Sequence, residues 1–354
     1  MSEITTVKRP PEPDWPAMTD EELLAYREAE NRFRASSAAR ALLGEPDPGA
    51  TIEWQRLVLP DREIPVRVYR PAAARDGDGT DRAELPLVLH GHGGSFVGTA
   101  VQCDWANSHL AARLPALVGS VEHRLIGPET PLSDAVDDGW DVLRHMVRHA
   151  SQRGIDPART AVFGESCGAL ISALAAIGAR EAGLTLKAQV LVNPAVDVTE
   201  TMFDYASIAE FRYSPTRAVP QLRVFQRLSV PQRTDARALS PLYADDLSGL
   251  APALVVVPTR DAVVRAQRKR RVDRAARQGH LRRDRAAAGA GVVRDGSLPG
   301  SLHGGRVPVE ATTGFGEGAR APQCARRGPH GPRLDVPDPR RQGSRLPHAM
   351  GEKQ

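Results

Sequence analysis

The feature that most constrains this chain is Gly164-Glu165-Ser166-Cys167-Gly168, because of what stands on either side of it. Before it lies a short apolar run, Thr160-Ala161-Val162-Phe163, suited to a buried strand; after it, small residues from Ala169 to Ala182 have the pattern of a helix. A serine on a strand-to-helix turn is pushed into a strained backbone with its hydroxyl exposed above the sheet. The glycines on either side let strand and helix pass close together. The pattern reads as a nucleophile elbow. The alternative is a glycine-rich turn that holds a serine by chance, and such matches rarely fall at a strand-to-helix junction.

The rest of the chain supplies the sheet that such an elbow needs. Thr19 to Leu43 reads as a helix, with Thr19 and Glu22 at capping-box spacing, Leu23, Leu24, Phe33, Leu42 and Leu43 as its apolar contacts, and Pro46 and Pro48 as its stop. Ile52–Leu59 and Ile64–Tyr69 alternate around Pro60-Asp61 as an edge hairpin would. Leu85–His90 and Ala116–Val121 read as strands, Asp134–His149 as a helix, Leu186–Val192 and Ala253–Val257 as further strands. Alternating strands and helices imply a mostly parallel sheet flanked by helices, an α/β fold. Asp197 to Ala238 breaks the alternation with an irregular, aromatic-rich insert placed to cover the site.

A second motif, His92-Gly93-Gly94-Ser95-Phe96, follows the strand ending at His90. Consecutive glycines after a strand let main-chain N–H groups converge on one point, where they can hold the oxyanion formed when a nucleophile attacks an ester carbonyl. A flexible turn is the plainer reading of these residues taken alone.

With Glu122-His123-Arg124-Leu125-Ile126-Gly127-Pro128-Glu129 standing between the two motifs, the chain from Ile52 to Asp261 resembles the hormone-sensitive-lipase-like branch of the α/β-hydrolase superfamily. That family carries H-G-G-G, R-L-A-P-E and the elbow in this order. The resemblance implies Ser166 as nucleophile, the N–H groups of Gly93, Gly94 and Cys167 as oxyanion hole, and Asp261 as the acid of the triad. It implies hydrolysis of short- or medium-chain carboxylic esters through an acyl-serine, with neither cofactor nor metal. Ser95 departs from the third glycine of the pattern, His123 from a common tyrosine, Cys167 from alanine, and one extra residue, Ile126 or Gly127, interrupts R-L-A-P-E.

Serine is a weak nucleophile without a base, so the chemistry needs a histidine held by a carboxylate. The resemblance places it roughly thirty residues past the acid, after one more strand. His280 follows Asp261 by 19 residues and His303 by 42, and neither follows a strand-like run. Composition changes here too. Residues 259–354 hold 21 Lys and Arg against 9 Asp and Glu, a net charge of +12, whereas the rest carries −8; Phe315 is their single aromatic. Such a segment has little apolar surface to offset the entropy of ordering. Three readings stand: a divergent last third in which His303 completes the triad; an Arg-rich appendage for acidic partners; or a reading-frame shift near Thr259. Out-of-frame translation of a GC-rich gene gives an excess of Arg, Ala, Gly and Pro without hydrophobic periodicity, so the third accounts best for the composition. Nucleic-acid binding is not expected, since the basic residues are scattered and lack aromatics for stacking.

Three domains-worth of sequence result: 1–50 as an N-terminal cap helix and linker, 51–258 as the catalytic core with a cap insert at about 197–238, and 259–354 as a poorly ordered tail. Cys103, Cys167 and Cys324 form no metal or disulfide spacing. Neither an apolar leader nor a membrane-length apolar run is read in the sequence, so a cytoplasmic protein is expected; the resemblance implies a small-molecule ester substrate. A catalytically impaired relative or small-molecule binder on the same fold is the alternative.

Overall fold

The computed structural model describes residues 7–72, 84–210, 215–231, 234–258 and 309–310. All belong to one compact unit, Met1–Gly314. An eight-stranded sheet runs in the order β1-β2-β4-β3-β5-β6-β7-β8. Its strands are β1 (Ala50–Val58), β2 (Glu63–Pro71), β3 (Leu85–Gly91), β4 (Leu117–Val121), β5 (Ile155–Glu165), β6 (Ala188–Val192), β7 (Ala253–Pro258) and β8 (Val309–Glu310). β1 and β2 form the expected antiparallel hairpin, and β2 joins β4 antiparallel. From β4 through β3, β5 and β6 to β7 every pairing is parallel. The two-residue β8 closes antiparallel on β7.

Strand periodicity divides the apolar residues between two faces. Val66, Val68, Leu87, Leu89, Leu117 and Val162 join the main core, where α4 (Leu132–Arg148) packs through Val142, Leu143 and Met146 and α5 (Cys167–Glu181) through Ala175, Ala176 and Ala179. Tyr69, Val88 and Val118 face the opposite way, against Ala111 of α3 (Asp104–Arg113).

The first helical stretch departs from expectation. It is two helices, α1 (Asp20–Arg34) and α2 (Ser37–Leu43). The Thr19–Glu22 capping box forms as the spacing predicts. At the break, Ser36 leaves helical geometry and its hydroxyl accepts the Ala39 N–H, starting a new helix. Leu24 and Leu42, expected in contact with the core, are 48% and 72% exposed; the buried residues of α1 are Leu23, Glu30 and Phe33. In the stretch read as irregular, 197–238, the chain forms a 3₁₀ turn (Glu200–Asp204), α6 (Ala206–Glu210) and α7 (Pro215–Ser229). Val224, Phe225 and Leu228 of α7 join Trp15, Leu23, Phe96, Leu170 and Met202 in a second apolar cluster. Among the described residues, no helix is long and apolar enough to cross a membrane.

Candidate active site

The glycines around Ser166 are required by contact. A Cβ on Gly168 would lie 2.0 Å from the carbonyl oxygen of Gly91, and one on Gly164 would lie 2.3 Å from that of Gly168. The ends of β3 and β5 and the first turn of α5 therefore meet backbone to backbone. Ser166, between them, sits at φ 51°, ψ −116°, a conformation that costs an L-residue about 1–3 kcal/mol and persists only where the surroundings enforce it. They do so by hydrogen bonds: Ser166 N–H donates to Val192 O at 2.9 Å, and its carbonyl accepts from Ala169, Leu170 and Ala195. The side chain is partly exposed. Cys167, the next residue, is buried at the start of α5, and burial pushes its thiol up to about 11, a shift eased by a hydrogen bond with Ser95. Two departures from the family pattern, Ser95 and Cys167, thus contact each other.

The glycine loop, 92–98, crosses in front of this turn. Gly94 takes φ +95°, and a Cβ there would lie 2.2 Å from Val97 O. Ser95 is not among the positive-φ residues, so its side chain fits the turn without strain. Gly93 behaves differently from the expected oxyanion donor. Its N–H donates to Glu165 Oε1 at 3.2 Å, which ties the loop to the residue preceding Ser166. The same oxygen lies 3.5 Å from Cys103 Sγ, whose thiol is held well above its ordinary range by burial and by this carboxylate.

The segment that resembles R-L-A-P-E is a scaffold for that loop. Glu122 Oε2 accepts the Ala100 N–H at 2.8 Å and the Thr99 hydroxyl at 3.1 Å. His123 stacks on His92 with ring centroids 4.1 Å apart, and its Nε2 lies 3.2 Å from His92 O. Arg124 pairs with Asp134 and with the buried Asp138. Ile126 N–H donates to Ser95 O at 2.9 Å. Ile126 is fully buried, and Gly127 bridges to Thr130 in a tight turn, so the extra residue is absorbed locally.

The six described histidines are all engaged away from Ser166. His90 contacts Ser120 and Asn107, His92 contacts Gly93 O, and His123 contacts Arg124 O and His92 O. His109 bonds Trp105 O, and His145 and His149 stack on one another. Asp261 and His303 lie outside the described residues, as do His280, His330 and His348. The structure therefore brings together Ser166, Cys167 and the glycine loop, while the expected acid and base stand beyond what it describes. Sequence reading missed the contribution of α1: its Arg27 and Asn31 bond the glycine loop directly.

An elbow at the C-terminal end of a central parallel strand, facing a glycine loop from the neighbouring strand, is the arrangement of the α/β hydrolases. A family model described as alpha/beta hydrolase fold matches residues 88–282, more than half of the chain, which therefore belongs to that family, in its hormone-sensitive-lipase-like branch. The match takes in Asp261 and ends before His303. Among curated proteins, the chain is 33% identical over 217 residues to Esterase LipI of Mycobacterium tuberculosis, covering 58% of this chain and 64% of that protein. It is 36% identical over 203 residues to Carboxylesterase NlhH of the same organism, covering 54% and 59%. The chain thus spans about three-fifths of the length of these relatives. Among solved structures, a hyperthermophilic esterase from the archaeon Pyrobaculum calidifontis superposes with a TM-score of 0.63 at 30% identity, covering 74% of this chain and 80% of that one.

Proposed function

We propose that this protein is a cytoplasmic carboxylic ester hydrolase acting on short- or medium-chain esters through an acyl-serine intermediate. The observation that carries the reading is the backbone of Ser166, held at φ 51° between glycines that tolerate no side chain. A strained residue enforced by its surroundings is a functional signal when it bears a nucleophile. Ser166 Oγ attacks the ester carbonyl, and the oxyanion forms against the N–H groups of Gly94 and Cys167, while Gly93 spends its N–H on Glu165. The proton of Ser166 passes to a histidine oriented by Asp261, for which His303 is the candidate, and from there to the departing alkoxide; water then hydrolyses the acyl-serine by the reverse relay. Esterase names among the relatives and structural neighbours support the reaction class. Met202 and helix α7, which share an apolar cluster with Phe96, Cys167 and the N-terminal Trp15 and Leu23, form the cap over the acyl chain.

The test is turnover of p-nitrophenyl butyrate by the full chain and its Ser166→Ala variant. Loss of turnover in the variant is expected; unchanged turnover rules out Ser166 as the nucleophile. A second reading, an impaired enzyme or small-molecule binder, is favoured by one observation: neither His280 nor His303 stands about thirty residues past Asp261 after a strand-like run, where the resemblance places the base. Fluorophosphonate labelling separates the two, since covalent modification of Ser166 requires an activated hydroxyl.

A further inference from the structure

Helix α1 presents Arg27, Asn31 and Arg34 at helical spacing along one face, and all three end on the glycine loop or on a side chain that holds it. Asn31 Oδ1 accepts the Gly98 N–H at 2.6 Å. Arg27 donates from Nε to Phe96 O at 2.8 Å and from Nη2 to Ile126 O at 2.5 Å, joining the loop to the segment behind it. Arg34 Nη1 donates to Gln102 Oε1 at 3.0 Å, and Gln102 Nε2 donates to Gly93 O at 3.0 Å. Behind this row stands Glu30, fully buried, which accepts from Arg34 at 3.0 Å and from Arg9 at 3.0 and 3.2 Å. The main-chain groups so held, at 93, 96 and 98, bracket Gly94 and Ser95.

Oxyanion donors act by being in place before charge develops, and an error of about 1 Å in their position removes much of the effect. From this we infer that α1 is a positioning element for the reaction, and that Asn31, through Gly98, sets where the loop amides stand relative to Ser166. The inference rests on the ester-hydrolase reading of Ser166. It assigns the N-terminal helix a role in the chemical step in addition to covering the site. Gly98 makes the contact possible: its φ is +125°, and a Cβ there would lie 2.6 Å from Gly93 O, so the chain turns back sharply enough to offer its N–H to α1.

The experiment compares the full chain with Asn31→Ala and Asn31→Asp, using amide hydrogen exchange of the peptide 92–99 and steady-state hydrolysis of p-nitrophenyl butyrate. In Asn31→Ala, exchange in that peptide accelerates, kcat falls about tenfold, and KM stays within about twofold. Asn31→Asp keeps an acceptor for the Gly98 N–H and restores slow exchange and kcat. Unchanged exchange in Asn31→Ala overturns the inference; so does faster exchange with kcat intact, and so does a loss confined to KM. Should the unsubstituted chain show no turnover, or Ser166→Ala retain it, the ester-hydrolase reading fails at that control. The inferred part of α1 in the chemical step then falls with it, while the exchange comparison still decides whether α1 pins the loop.

Discussion

At the scale of single residues, the site is organised by what is missing from Gly164 and Gly168. Gly168→Ala would place a methyl group 2.0 Å from Gly91 O, and since the obstacle is backbone no rotamer relieves it. The expected cost is about 3 kcal/mol or more, read as a fall in the urea midpoint, with an insoluble chain as the extreme case. A variant of unchanged midpoint would show that the crossing is looser than described. These glycines were legible in the sequence because the spacing of the elbow is itself a consequence of the close crossing. The occupation of the Gly93 N–H by Glu165 was not, because it depends on where a side chain from 72 residues away ends. Nor was the harmlessness of Ser95 legible: the left-handed φ falls on Gly94, and only the traced backbone says which residue of a glycine pair turns the chain.

At the scale of elements, helices with an unbroken apolar stripe were readable, and those with a polar buried face or an internal proline were not. Helix α3 escaped the sequence reading because its buried face is Asp104, Asn107, Ser108 and Ala111. Asp104 pairs with Arg67 and accepts from the Tyr69 hydroxyl, Asn107 meets His90, and Ser108 accepts the Asp47 N–H. Helix α7 was masked by Pro220 in its interior, which reads as a breaker. The His90 contact joins β3, β4 and α3, since His90 Nδ1 lies 2.8 Å from Ser120 Oγ and 3.1 Å from Asn107 Nδ2. Burial, with a smaller effect from His123, holds His90 down to about 3, and burial holds its neighbour His92 well below its ordinary value. Both pKa values are depressed relative to the unfolded chain, so the unfolded state binds more protons below about pH 6.5 and stability falls as pH drops through that point. Each histidine contributes a slope of about 1.4 kcal/mol per pH unit. Urea midpoints are expected to fall from pH 6.5 to pH 5, with His90→Gln losing about half of the slope. A midpoint independent of pH in that window would show both rings to be solvated.

At the scale of the whole molecule, the charge division between residues 1–258 and 259–354 marks where the reading changes character. The family match extends to residue 282, so recognisable family sequence continues past Asp261 and is lost before His303. That match moves any change of frame later than the expected Thr259, and translating the nucleotide sequence beyond residue 282 in the two other frames is expected to reveal a strand, an H-G-F-like histidine turn and a closing helix. Stop codons or unpatterned sequence in both would leave the frame-shift reading without support. The core from β3 to β6 was open to sequence reading because each strand there is paired on both sides and written in apolar residues. The tail offers no such pattern. The backbone crossing of Gly91, Gly164 and Gly168 has a further consequence for the molecule's capacity to change. Where no side chain separates two strands and a helix, substitution has nothing to trim or refill, so this part of the fold offers selection almost no neutral steps. Change must therefore accumulate in the segments around Trp15, Met202 and Phe225, where side chains do separate the elements and alternatives of similar volume exist.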